Sequence, residues 1–150
     1  MGRAPDGSHN AGMEARWEHF EHDADLGVRG VGPTQAAAFA QAALAVTAAV
    51  TDPSRLALTD EISVDVEAAD PELLLVGFLN GVIAEMSTRH MLFGEVRVEL
   101  AGRRLHARLR GERADVTRHQ PAVEVKGATF TELAVSQRNG EWIAQTVVDV

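Results

Sequence analysis

The segment Glu21-His22-Asp23-Ala24-Asp25 gathers three carboxylates and an imidazole in five consecutive residues, an oxygen-rich composition suited to a hard divalent cation. The same residues also suit a solvated turn whose Asp side chains bond their own backbone, and spacing alone leaves both readings open. In the cation reading, Asp25 supplies oxygen together with acids from elsewhere in the chain. The best candidates are the last two residues, Asp149 and Val150, where a side-chain carboxylate and a chain-terminal one adjoin on a segment that reads as ordered strand, although termini ordinarily fray. Anions brought together repel by about 4 kcal/mol per pair at 4 Å near a protein surface, and a bound divalent ion removes that conflict. Asp25, Asp149 and the Val150 carboxylate fall short of the roughly six to eight oxygens calcium takes. The site is therefore expected to be open, with water or a partner's groups completing the shell. His22 is a poorer ligand for so hard an ion and is expected to bond a neighbouring carboxylate or backbone group instead.

Lys126 stands as a lone cation among Val123, Glu124 and Val125; its plainest role is a strand lysine paired with Glu124 on a wet face. Arg118 and His119, just before Pro121, read as a turn. Other chemistry is excluded by what is missing. Without cysteine there is neither thiolate catalysis nor a cysteine-ligated zinc site. The chain also lacks a Gly-rich phosphate loop with its Lys, a paired-His zinc helix and a Gly-x-Ser-x-Gly elbow, and Gly30-Val31-Gly32 reads as a turn rather than a nucleotide fingerprint. A formal net charge of −8 disfavours non-specific binding to a phosphate backbone and suits a cation or a basic partner surface.

The elements that must position these residues follow from periodicity. At 150 residues with 45% hydrophobic composition, one domain with its own core is expected; residues 1–13 read as a disordered tail and 14–150 as the domain. No secretion signal opens the chain, so a cytoplasmic location is expected. Trp17 to Glu21, and then Leu26, Val28 and Val31, read as two strands about a bend. Thr34 is a natural N-cap for a helix to about Val50, with Phe39, Ala43, Val46 and Val50 on one face. Ile62, Val64 and Val66 alternate with polar residues in a strand. Asp70, Pro71 and Glu72 open a second helix, with Leu75, Leu79, Val82 and Met86 as its core stripe. A two-residue turn at Gly102-Arg103 places Leu100 opposite Leu105, Val98 opposite Ala107 and Val96 opposite Leu109. Ala122 to Val135 reads as one long strand, and Asn139-Gly140 as a hairpin turn returning a last strand from Trp142 to Val150. This order predicts an α+β fold, with two helices packed as a layer on a largely antiparallel sheet.

A family resemblance runs through these elements. Phe20 to Val28 resembles the archease signature, usually written Glu-His-Thr-Ala-Asp-Ile-Gly. Leu73 to Asn80 is similar to the second helix of that family, Thr117 to Pro121 to its Glu-Arg-His-Glu-Pro turn, Val123 to Phe130 to its Thr-Glu-Val-Lys-Ala-Val-Thr-Tyr strand, and Trp142 to Val150 to its Asp-Val ending. The resemblance implies a protein that is not an enzyme but activates an RtcB-type, GTP-dependent RNA ligase in tRNA splicing and RNA repair. It would speed guanylylation of the ligase and permit multiple turnover, with a bound cation usually assigned to calcium. It implies metal ligation by Asp25, Asp149 and Val150 and a functional role for Lys126. His22 and His119 are further candidates for partner contact. Asp23 stands where the family usually has Thr, Ala36 and Ala37 where it has acids, and Thr131 where a His is frequent. Two alternatives from other classes are a chaperone-like interaction domain without defined chemistry and a metal-dependent hydrolase.

Overall fold

The computed structural model describes residues 14–119, 121 and 123–150; the expected tail over 1–13 and the start of the expected long strand at Ala122 lie outside the described residues. Strands β1 (Arg16–His22) and β2 (Asp25–Gly32) form a hairpin and are followed by helix α1 (Gln35–Val50). After a 3-10 turn at Pro53–Arg55 come β3 (Asp60–Glu67), α2 (Pro71–Arg89), β4 (Met91–Ala101) and β5 (Arg104–Arg113). The chain ends with a single helical turn, α3 (Val116–His119), and strands β6 (Gly127–Ala128), β7 (Ala134–Arg138) and β8 (Glu141–Asp149). The expected α+β class holds and the strand pairings among the described residues are antiparallel, but Gly30 to Gly32, expected as a turn, complete β2 and pair with β8. The strands divide into two sheets, β1-β2-β8-β6 with β7 also on β8, and β3-β5-β4.

Both helix starts form as their cap chemistry dictates. Thr34 Oγ1 accepts the Ala37 amide at 3.0 Å, and Asp70 Oδ1 accepts the Leu73 amide at 2.8 Å with Pro71 in the first turn, so each side chain satisfies an amide that has no partner within its helix. The hairpin register read from the sequence is the one found: Leu100 faces Leu105, Val98 faces Ala107, Val96 faces Leu109 and Arg97 faces Arg108.

Helix α1 is buried more widely than a one-faced amphipathic helix. Ala38, Ala42, Ala43 and Ala45 are as enclosed as Phe39 and Val46, and only a stripe through Ala37, Gln41, Leu44 and Ala48 is part-exposed among the later turns. The helix packs on β2 and β8 of one sheet and β4 of the other, while α2 packs chiefly on β3 of the second sheet and also reaches β6 of the first. One core therefore spans both sheets, with Phe39 and Phe78 stacked at 6.4 Å. Alanine makes this possible because a methyl side chain lets backbone approach backbone.

The expected long strand over Ala122–Val135 is not continuous. Opposite Thr146 and Val147, five residues from Thr129 to Leu133 separate β6 from β7. The excess folds into a turn closed by Leu133 N–H to the Phe130 carbonyl, with Glu132 at φ 56°. Backbone bonds from the Thr129 amide to the Val147 carbonyl and from the Val147 amide to the Thr131 carbonyl keep this segment on β8, and threonine hydroxyls add to them: Thr129 Oγ1 donates to the Val147 carbonyl at 2.8 Å and Thr146 Oγ1 to the Thr129 carbonyl. The alternation of Val123, Glu124, Val125 and Lys126 signals a strand but carries no information about a bulge.

Gly30 marks the closest approach of β2 to α1. A Cβ there would lie 1.9 Å from the Ala38 carbonyl oxygen and 2.3 Å from the Ala42 nitrogen, both rigid helix backbone. Gly30→Ala is expected to destabilise the fold by about 1–3 kcal/mol or more through overpacking, read as a lower urea midpoint at unchanged slope.

Candidate functional site

The β1–β2 hairpin turns through Asp23 and Ala24, with Asp23 in the left-handed region at φ 52° and His22 opposite Asp25. Phe20 lies over Gly27, where any Cβ would meet its ring at 2.3 Å, and the Arg29 guanidinium sits over the Phe20 ring, 4.7 Å from its centroid. The turn carrying Asp25 is thus held by packing across the hairpin.

Pairing then brings the two ends of the domain together. Leu26 faces Val148, so one step further along the ladder Asp25 reaches the end of β8, where the Val150 amide donates to Asp25 Oδ1 at 3.4 Å. On the other edge of β8, Gly127 faces Asp149 and the Lys126 amide donates to the Asp149 carbonyl at 2.8 Å. Asp25, Asp149, Val150 and Lys126 therefore meet at one end of three adjacent strands. Asp149 and Lys126 are exposed, while Asp25 and Val150 are half-buried. No ion pair joins Lys126 to Glu124 among the described residues, contrary to the simple wet-face pairing. His22 Nδ1 lies 3.8 Å from Asp23 Oδ2, an ion-pair distance but beyond hydrogen-bond range.

The donors at this strand end are carboxylate and main-chain oxygens, which fit a hard divalent cation in kind. They do not make a full shell: among the described residues, no three His, Asp or Glu side chains cluster closely enough to hold a metal by themselves.

His119 sits elsewhere. The segment expected as a turn winds into α3, and its His119 Nδ1 accepts the Asp115 amide at 2.7 Å. An amide can only donate, so the ring proton is on Nε2, which bonds Glu112 Oε2 at 3.2 Å. Glu112, on β5 and 8% exposed, also accepts the Ala57 amide at 2.8 Å and pairs with Arg118. The His119 carbonyl accepts from Thr51 Oγ1 at 3.1 Å, beside the end of α1. His119 thus latches α3 onto the body of the domain and does not join Asp25. Beyond it, Pro121 and Val123 to Lys126 form one wall of a cavity of about 980 Å³ against Asn80, Ile83 and Ser87 of α2.

Asn80 is the contact that sequence reasoning missed. In the sequence it only interrupts an apolar run; in the fold its side chain reaches Ala128 of β6. A polar residue breaking an otherwise apolar run was the available signal.

The strand pairing and helix packing define an α+β protein with two antiparallel sheets and a carboxylate-bearing strand end. Comparison with known proteins places it more closely. The Archease protein family profile matches residues 17–150. Curated relatives named protein archease include those of Thermococcus gammatolerans, 37% identical over 90% of this chain and 99% of that protein, and Pyrococcus furiosus, 33% identical with the same coverage. A solution structure of a Methanobacterium thermoautotrophicum protein aligns with a TM-score of 0.74 at 25% identity, covering 89% of this chain and 98% of that one. A Thermotoga maritima crystal structure, described as an archease and possible chaperone, shares the fold at a TM-score of 0.57 and 18% identity, covering 87% and 94%. The chain belongs to the archease family.

The Ala57 amide, with help from His119 and Arg118 and against the effect of burial, holds the Glu112 carboxyl below its ordinary range. A carboxyl whose pKa is depressed by folding contributes stability that is fully present above its unfolded value of about 4.3 and is lost as pH falls through the folded value. Glu112→Gln is expected to cost about 2 kcal/mol at pH 7. The gap from the parent chain should narrow as pH is lowered below about 4.3, measured by urea unfolding across that range.

Proposed function

We propose that the chain is an accessory protein that activates a GTP-dependent RNA ligase of the RtcB type in tRNA splicing or RNA repair, promoting ligase guanylylation and multiple turnover. A divalent cation, calcium in the first instance, would be held by Asp25, Asp149 and a main-chain oxygen of Val150. Family membership supports the class of function. The observation that carries the site is the bond from the Val150 amide to Asp25 Oδ1, because it joins two acidic segments from opposite ends of the sequence.

When bound, such an ion would neutralise the clustered carboxylates and offer its remaining coordination positions outward. The chain's own residues do the rest. Register fixes Asp25 beside β8, and β6 holds Lys126 on the far edge, where its ammonium is available to the ligase or its guanylate. His22 lies on the same turn as Asp25, within reach of a partner docked there. His119 acts at a distance by anchoring the segment that leads into Lys126. A cytoplasmic location accords with this role; no helix among the described residues is long and apolar enough to cross a membrane.

The second reading, a chaperone-like interaction domain, draws on exposed apolar side chains such as Phe130 and Val116. A ligase turnover assay separates the two. Added protein is expected to turn a single-turnover ligase into a multiple-turnover one. Asp25→Ala should cut that gain by about tenfold or more, as loss of metal-site groups does, with an unchanged unfolding midpoint and weakened calcium binding by calorimetry. Full activation by this variant would retire the site assignment, and chelator-insensitive suppression of unrelated aggregation would favour the chaperone reading.

A further inference from the structure

Strand β6 is two residues long and, among the described residues, has no further strand on its outer edge. Its inner edge is bound to β8 through the Lys126 amide to the Asp149 carbonyl at 2.8 Å and the Thr129 amide to the Val147 carbonyl at 2.9 Å. Next to Thr129, whose amide faces β8, the amide and carbonyl of Ala128 point the other way, toward α2. There the Asn80 side chain meets both: Oδ1 accepts the Ala128 amide at 2.8 Å and Nδ2 donates to the Ala128 carbonyl at 3.4 Å. The orientation of the amide follows from its partners, since a backbone N–H only donates and a carbonyl only accepts. One side-chain amide thereby supplies the donor and acceptor that a neighbouring strand would supply.

We infer that Asn80 is a positioning residue for Lys126. Lys126 forms no ion pair among the described residues, so the course of its backbone sets where its exposed side chain starts. That backbone is held between the Asp149 carbonyl on one edge and, two residues on, the Asn80 clamp on the other. Helix α2 is fixed in the core through Phe78 and Leu79, both fully buried, which immediately precede Asn80 in sequence and give the clamp a rigid base. Releasing it frees a two-residue strand beside the carboxylates at the end of β8. The inference rests on the reading of Lys126 as a working residue, and its test has an arm that does not.

In the first arm, amide hydrogen exchange is followed by NMR in the full chain. Asn80→Ala is expected to speed exchange at Ala128 and Lys126 by about tenfold, the loss of two hydrogen bonds of modest net strength, while Val147 and Leu79 keep their protection. Asn80→Asp, which keeps the acceptor and loses the donor, should fall between and serves if the alanine variant does not fold. In the second arm, ligase activation is measured for Asn80→Ala, Lys126→Ala and the pair. If Asn80 acts through Lys126, the double variant is no worse than Lys126→Ala alone. Unchanged exchange at Ala128 and Lys126, or additive losses in the pair, overturns the inference. A parent chain that activates no ligase ends the functional reading, and the exchange arm then still decides the clamp.

Discussion

Hydrogen bonding along both edges of β8 is the constraint from which the candidate site follows. One edge takes β2 from Leu26 to Gly32, and the other takes β6 and β7 in turn. Ala144, Thr146, Val147 and Val148 are all buried, so the strand is fixed by packing as well as by its ladder. The first hairpin and the late lysine segment have no reason to meet apart from this shared partner. Each contributes a polar end only because β8 aligns their apolar lengths: Leu26 and Val28 beside Val148 and Thr146, and Ala128 beside Val148.

Close packing of small residues allows one core to serve two sheets. The alanines of α1 and Gly30 of β2 bring helix and strand backbones nearly into contact, and Thr47 Oγ1 donates to the Phe93 carbonyl at 2.7 Å on the other side. The hydroxyl is fully buried and bonds the carbonyl at the irregularity of β4 between Phe93 and Glu95, where a regular ladder partner is missing. A larger side chain on either face of α1 would separate the sheets and, with them, β8 from the elements it aligns.

Much of this was legible in the residues because local chemistry decided it. Thr34 and Asp70 could cap helices and do; Gly102-Arg103 and Asn139-Gly140 could turn hairpins and do, with positive φ at Gly102, Asn139 and Gly140. The acidic bend and the C-terminal acids were each visible as oddities, an acid cluster in a strand break and an acid at the end of an apolar strand. Three things were not legible. Division into two sheets depends on which strands pair, and the strand pattern gives faces but not partners. The turn from Thr129 to Leu133 hides in a run of good strand formers, since its stabilising bonds are made by Thr146 on another strand. Asn80 and Glu112 act through contacts across about fifty residues of sequence, where local spacing has no reach.

The acidic strand end also shows which force sets the register. Asp25 and Asp149 lie one step past Leu26 and Val148 on neighbouring strands, and two unit charges brought within about 5 Å near a surface would repel by about 3 kcal/mol. Exposure of Asp149 lets solvent and salt reduce that figure. Relieving it by a one-residue slip of β2 on β8 would turn Leu26 and Val28 away from the core. Val28 and Val148 are each fully buried, and side chains of this size contribute about 1.5–3 kcal/mol apiece when buried. Losing several such contacts costs more than the repulsion that a slip would remove. The hydrophobic pattern therefore sets the register that carries the two acidic residues to neighbouring strand ends.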